Sequence, residues 1–583
     1  MRARWGLAIV CGALLWASVA EAAPMRFGYS GVHALPAKVW APLSDDARAL
    51  FVADRIAQAE RLGAQVLRLG STTPRLIDFA LIHKGQFRNW LFADRVVGLL
   101  SAAPLDVCLT LPELFDTPDI GAFQAFIDAL AERYDGDNQF GVAPAALGHE
   151  FPDLNASGEI TSNEFELPAD APEVVAWGEA HRIDLIEPGD EPLLAELTSK
   201  LSTGAYAAQV KAAHTAVVSA GGGQRVMLAG TAVDHPKASK SSFVARLPGL
   251  SIGGPWFDAA NVHLATSLDD LTGVPAATDV AKFQNWLEAV GHGSAERWIG
   301  ALSIGSEPGP DRVCSDPRCS ERTQAASLVR QLVLAAAGGV SVVLYAEPIE
   351  VVGTTATPGP RTGTGLLTLD LPDGVDPFPR EGHPPLRLTP RPAYAVWRRL
   401  TAVLGAEGAT VTALSGMPEN VRGFRVGQQG YVLWHDWSEE VQPGAPWSGP
   451  PRPVTLEGQG SRSVRVVSLW PASVESSLAA DGSAQATWDE TLVAVTGGTA
   501  RLTLGKDPVW VEASTEVVEG PADDGPADAA SDTSVAEGAE LSADSGGGCA
   551  GAPGGVELPW AALLALVGLV ALGGRRGRAQ ARM

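Results

Sequence analysis

Between Met25 and about Leu404 the chain repeats one beat: a short apolar run of strand character, then a longer stretch with apolar residues at helical spacing. The strand runs are MRFGYSGV from Met25, AQVLRLG from Ala64, LDVCLTLPE from Leu105, RIDLIEPGDEP from Arg182, QRVMLAG from Gln224, FDAANVHLA from Phe257, RWIGALSIG from Arg297 and GVSVVLYAEP from Gly339. Successive parallel strands need a crossover, usually a helix, to bring the chain back in the same direction. Eight such units over this length predict a closed (β/α)8 TIM barrel at residues 25–404.

From about Gly405 the beat changes. Short strand-like runs such as VRGFRVGQQGYVLWHDW, RPVTLEG, SVRVVSLW and TLVAVTGGTARLTLG are split by Gly, Pro and polar turns, with no helical period. That pattern predicts a small all-β sandwich at residues 405–513. Residues 514–548 are acidic, rich in small residues and poor in aromatics, the composition of a flexible stalk.

Both ends carry targeting patterns. Arg2 and Arg4 precede an apolar stretch and an Ala20-Glu21-Ala22 small-x-small site, which reads as a signal peptide over residues 1–22 and predicts export. In residues 549–583, Cys549 follows a Gly-rich stretch, an apolar segment runs from Leu558 to Leu572, and Arg575, Arg576 and Arg578 come after it. That segment is short against the roughly 17–25 residues of a full span, and the arginines would hold its end on the cytoplasmic side. The tail resembles myxobacterial-type C-terminal sorting signals. The resemblance implies a partner in sorting machinery, membrane contact through this segment, and a cell-surface anchor at Cys549; a simple tail anchor is the alternative.

In an exported chain Cys314 and Cys319, close together in DRVCSDPRCSER, are expected to form a local disulfide, whereas Cys108 sits within an apolar run and is expected as a buried free thiol. The 43 Lys and Arg against 67 Asp and Glu give a net charge of -24, which would repel a phosphate backbone, so nucleic acid is not an expected partner. Part of that charge belongs to the stalk, since no Lys or Arg lies between Ser514 and Gly574. The ten His form no ligand-spaced cluster, and no dinucleotide fingerprint or P-loop is present, so no metal, nucleotide or redox cofactor is expected.

Barrel sites are built at the C-terminal ends of the strands. Glu113, Asp190, Glu191, His263, Tyr345 and Glu347 all fall at or just after such ends. Converging carboxylates suit glycoside hydrolysis, in which one acid protonates the leaving oxygen and a second carboxylate attacks the sugar or activates water.

The order of FRNWLFADRVVGLLSAAPLDVCLTL, FIDALAERYDGD, DLIEPGDEP, WFDAANVHL and RPAYAVWRRL resembles clan A glycoside hydrolases, in particular the β-xylosidase-like members of family 39 with an appended β-sandwich. The resemblance covers most of residues 25–513 and implies a carbohydrate partner. It places Glu191 as general acid/base, Asp190 where the family has a sugar-binding Asn, and His263 and Arg68 among the site residues. Trp298 and Tyr345 are candidates for stacking on sugar rings, with packing as the alternative. A loop carboxylate capping the next helix is the alternative for Glu191. On strand seven the family's nucleophilic Glu is replaced by Ala301, which cannot attack an anomeric carbon. Glu307 or Glu347 is then the candidate second carboxylate. Two readings follow: a surface-anchored glycosidase with a displaced second carboxylate, or a catalytically inactive carbohydrate-binding or structural envelope protein on the same scaffold.

Overall fold

A computed structural model describes residues 24–31, 40–69, 76–77, 83–84, 87–88, 90–111, 120–137, 171–190, 203–232, 255–266, 274–304, 321–352, 364–370, 388–435, 451–479, 481–505 and 507–518. Eight parallel strands close a barrel: β1 (Arg26–Ser30), β2 (Val66–Leu69), β3 (Asp106–Leu111), β4 (Leu185–Pro188), β5 (Arg225–Ala232), β6 (Ala259–Thr266), β7 (Glu296–Ile304) and β8 (Val342–Ala346). Their order around the ring is β1-β8-β7-β6-β5-β4-β3-β2, so the expected TIM barrel is the observed fold. The helices are α1 (Asp45–Arg61), α2 (Leu91–Ser101), α3 (Ile120–Arg133), α4 (Pro172–Glu179), α5 (Thr203–Ala220), α6 (Val274–Ala289), α7 (Glu321–Ala337) and α8 (Pro392–Leu404).

Strands buried on both faces explain the near-continuous apolar runs. Alternate residues of one strand enter two different cores. Val66, Cys108, Leu185, Met227, Ala259, Trp298 and Val342 fill the barrel interior, while Leu67, Leu109, Ile186, Leu228, Ala260, Ile299 and Val343 pack outward with the helices. Cys108 is a buried free thiol, as expected, and burial pushes it well above its ordinary pKa, with the Glu187 carboxylate adding to the rise.

The N-terminal end of the barrel is closed by ion pairs. Arg26 at the start of β1 bonds Glu296 of β7 at 2.7 Å and also pairs with Asp106 of β3, while Arg225 of β5 bonds the other Glu296 oxygen at 2.8 Å. The Arg26 guanidinium lies 5.9 Å from the Trp298 ring centre, over the floor of the interior.

After β8 a small sheet forms from β9 (Ile349–Val352), β10 (Leu367–Asp370) and β11 (Leu388–Pro390). The C-terminal all-β part contains β12 (Val411–Ala413), β13 (Val421–Val426), β14 (Gly430–His435), β15 (Arg452–Leu456), β16 (Ser463–Leu478), β17 (Ala484–Thr496), β18 (Thr499–Leu504) and β19 (Val509–Ser514), in the order β12-β13-β14-β19-β16-β17-β18-β15. β17 pairs with β16 along most of its length but with β18 only through Val495 and Thr496, so the sheet turns there. Val454, Leu456, Leu502 and Leu504 then pack over Val421, Leu433, Val464 and Val511, which makes the sandwich.

Period-2 alternation sends the opposite face of the same strands to the barrel: Phe424, Trp434, Val467 and Trp510 join its helices in one core. Arg322 on α7 pairs with Asp507 and covers Trp470 at 5.4 Å, and Tyr394 on α8 donates to the Gly482 carbonyl at 2.5 Å.

Burial opposes ionisation of Glu296, but Arg26 and Arg225 outweigh it and hold the carboxyl below its ordinary value. A carboxylate with a depressed folded pKa contributes stability that is present above its unfolded pKa and lost as pH falls through the folded one. Glu296→Gln is therefore expected to cost about 1–3 kcal/mol at neutral pH. In urea titrations the deficit should shrink as pH drops below about 4.

Candidate functional site

Above the apolar floor the barrel interior changes character. Two residues beyond Val66, Cys108, Leu185 and Ala259 stand Arg68, Thr110, Glu187 and Asn261, all buried. Glu187 is the centre of this layer. Its Oε2 accepts from Arg68 Nε at 2.6 Å and from Thr110 Oγ1 at 2.5 Å, and its Oε1 accepts from Asn261 Nδ2 at 2.8 Å.

Arg68 divides its donors between that layer and the mouth above it. Nη1 donates to Ser30 Oγ at 3.3 Å, and Nη2 donates to Asp190 Oδ1 at 2.7 Å. Burial alone would favour the neutral guanidine, but the Glu187 and Asp190 carboxylates outweigh it and hold Arg68 protonated. Arg68 and Glu187 are 1% and 0% exposed, whereas the Asp190 side chain is 26% exposed, so the network reaches solvent through Asp190.

Two glycines make room for this arrangement. A Cβ on Gly300 would lie 2.2 Å from Asn261 Nδ2, and one on Gly230 would lie 2.1 Å from His263 Nε2. Both strands also shift register at these places: β7 runs from Val262↔Ile299 to His263↔Ala301, and β5 from Leu228↔Ala260 to Thr231↔Val262. Bulges of this kind re-aim side chains at barrel rims. Asn261 Oδ1 accepts from the Gly300 amide at 2.7 Å, and His263 Nε2 lies 3.4 Å from Asn261 Nδ2.

The structure thus brings Arg68, Asp190 and His263 into one layer or its edge. Glu191 and Glu307 lie outside the described residues, as do Glu113, Cys314, Cys319, Cys549 and the two terminal segments. On β7, Ile299, Leu302 and Ile304 enter the outer core, which leaves the half-buried Ala301 and Ser303 toward the mouth. Neither carries a carboxylate. Glu347 follows β8 directly, is half-buried, donates its amide to the Ser30 carbonyl at 2.7 Å and adopts φ 50. A non-glycine residue in the left-handed region stores strain of about 1–3 kcal/mol, the kind found where geometry serves a site.

The two aromatic candidates are corrected by their burial. Trp298, 1% exposed, belongs to the floor of the barrel interior. Tyr345, 0% exposed, packs 5.7 Å from Trp397 and donates to the Thr364 carbonyl at 2.6 Å. Neither face is available to a sugar ring, and both serve packing. The residues that sequence reasoning missed are Glu187, Thr110, Asn261 and Ser30. A signal for Glu187 was present: an acid inside a fully buried strand needs a counter-charge, and VLRL on β2 supplies the matching buried Arg.

No protein-family model and no curated protein matches the sequence. Among solved structures, the chain is similar to a family 39 glycoside hydrolase from Bacteroides cellulosilyticus WH2, at 12% identity and TM-score 0.47, covering 85% of this chain and 82% of that one. It is similar also to a family 39 β-xylosidase from Caulobacter crescentus, at 15% identity and TM-score 0.44 over 85% and 98% of the two chains. A 4-O-α-L-rhamnosyl-β-D-glucuronidase from Fusarium oxysporum 12S gives 10% identity and TM-score 0.43 over 85% and 98%. The barrel assignment rests on the strand order of this chain itself.

Removing one partner of a buried pair strands the other charge, so Glu187→Gln is expected to destabilise by about 3–5 kcal/mol in urea unfolding. Arg68→Met combined with Glu187→Leu should cost clearly less than the sum of the two single changes, because no charge is left unpaired.

Proposed function

We propose that the protein is an exported, surface-held carbohydrate-active protein that takes a sugar at the C-terminal mouth of its barrel, with Glu191 as the proton donor. One observation carries this reading: the buried Arg68–Glu187 pair spends a guanidinium nitrogen on Asp190, which fixes the residue immediately before Glu191 at the mouth. A polar layer of this cost under a strand end is intelligible when the groups above it must be held in one orientation.

Hydrolysis needs a second carboxylate. Glu347 is the candidate in the described mouth. β8 stands four places from β4 in a ring of eight strands, so its end faces that of β4 across the opening. In this scheme Glu191 protonates the leaving oxygen, and Glu347 attacks the anomeric carbon or removes a proton from the attacking water. Asp190, bonded to Arg68, accepts from a sugar hydroxyl. Glu307, beyond β7, is the alternative second acid. A non-catalytic sugar-binding protein is the second reading, favoured by Ala301 and Ser303 at the β7 end.

The test is turnover of aryl glycosides and oligosaccharides by the purified chain. The glycosidase reading expects hydrolysis that falls about 10²–10⁴-fold in Glu191→Gln and in Glu347→Gln, with sugar binding kept. Saturable sugar binding without turnover would select the second reading, and absence of both would remove the sugar site. For the location, Cys549→Ala is expected to move the protein from the cell-surface fraction to the medium; an unchanged distribution would contradict an anchor at Cys549.

A further inference from the structure

At the opposite end of the barrel the structure holds a second set of polar groups that the sugar reading does not use. α3 ends at Arg133, and the chain turns through Tyr134, Asp135, Gly136 and Asp137. Gly136 is left-handed at φ 90. Asp135 Oδ1 accepts from the Asp137 amide at 3.0 Å, and the two carboxyl groups reach one another.

Asp135 is only 3% exposed, and its Oδ2 is buried with no hydrogen-bond partner. A second chain segment closes over it. A Cβ on Gly222 would lie 2.3 Å from that of Asp135, so the 221–223 glycine turn runs directly against the acid. The next residue, Gln224, is 5% exposed and donates Nε2 to the Tyr134 carbonyl at 2.7 Å, which sets its amide beside the peptide leading into Asp135. The other end of that amide, Oε1, is also buried without a partner.

A buried acceptor without a donor costs about 1–3 kcal/mol, so two of them on these adjoining turns call for an occupant. A water would offer two protons and leave the charge of Asp135 uncompensated, since only acids act on it. Arg182 lays its stem over Gly136, but its head pairs with Asp184 at 3.0 Å. Glu132 in the last turn of α3 adds negative potential, while Arg133 beside it is spent on Asp94.

We propose that Asp135, Asp137 and Gln224 form a divalent-cation site between α3 and the start of β5. Two carboxylates and an amide oxygen in an irregular turn suit calcium, which accepts many oxygen ligands in flexible geometry, better than magnesium, which demands a regular octahedron. The ion ties the turn that follows α3 to the turn before β5, so its role is to hold the barrel's N-terminal end. The inference is independent of any sugar chemistry at the mouth.

The experiment is calorimetric titration of calcium chloride into the metal-stripped full chain, with thermal unfolding in calcium and in EDTA. One saturable site is expected, with a Tm several degrees higher in calcium. Asp135→Asn should abolish both effects, and the milder Asp137→Asn, which keeps the backbone donor to Asp135, should weaken binding at least tenfold. Calcium binding that is unchanged in both variants would place the ion elsewhere and overturn the proposal. So would a chain whose stability ignores calcium, magnesium and manganese and only falls as pH rises through about 6, the value to which burial and neighbouring carboxylates raise Asp135. That outcome would make the two acids a proton-sharing pair.

Discussion

The Arg68–Glu187 pair organises the interior of this barrel. Two charges removed from water cost several kcal/mol each unless every remaining donor and acceptor is matched, and an apolar pair of similar volume is commonly as stable. Here the matching is nearly complete: Thr110 and Asn261 take the other Glu187 lone pairs, and Ser30 and Asp190 take the other Arg68 donors. Gly300 and Gly230 exist in their strands because any side chain would occupy the space of Asn261 and His263. One ion pair therefore dictates residue types on β1 to β7, and it reaches solvent through Asp190.

That outlet gives the mouth its chemistry. On the β4 side stands an acceptor fixed by Arg68 and adjacent to Glu191; on the β8 side stands Glu347 on a left-handed backbone. Between them, β7 ends in Ala301 and Ser303. Among the described residues the β7 end carries no acid, so the proposed glycosidase draws its second carboxylate from β8 or from beyond β7.

The fold was legible because the β/α beat is a property of local sequence, repeated often enough that no single run decides it. The sandwich was legible for the same reason, through Gly-rich turns between short strands. Side-chain direction was less so. Both faces of a parallel barrel strand are apolar, so nothing in RWIGALSIG or GVSVVLYAEP tells that Trp298 faces the interior floor and Tyr345 faces α8. The extra residue at Gly300 and Ala301 shifts the alternation again and escapes any period-2 count. Position at a strand end points to Asp190 and Glu191, but the charge inside LIEP is the stronger anomaly, because that strand is buried throughout.

The most direct measurement is a crystal structure of the full chain with a bound oligosaccharide. The account predicts a sugar ring in the C-terminal mouth with a hydroxyl donating to Asp190 and the ring between the ends of β4 and β8. A sugar seated on the sandwich, or at the mouth with Asp190 turned away and still bonded only to Arg68, would contradict it.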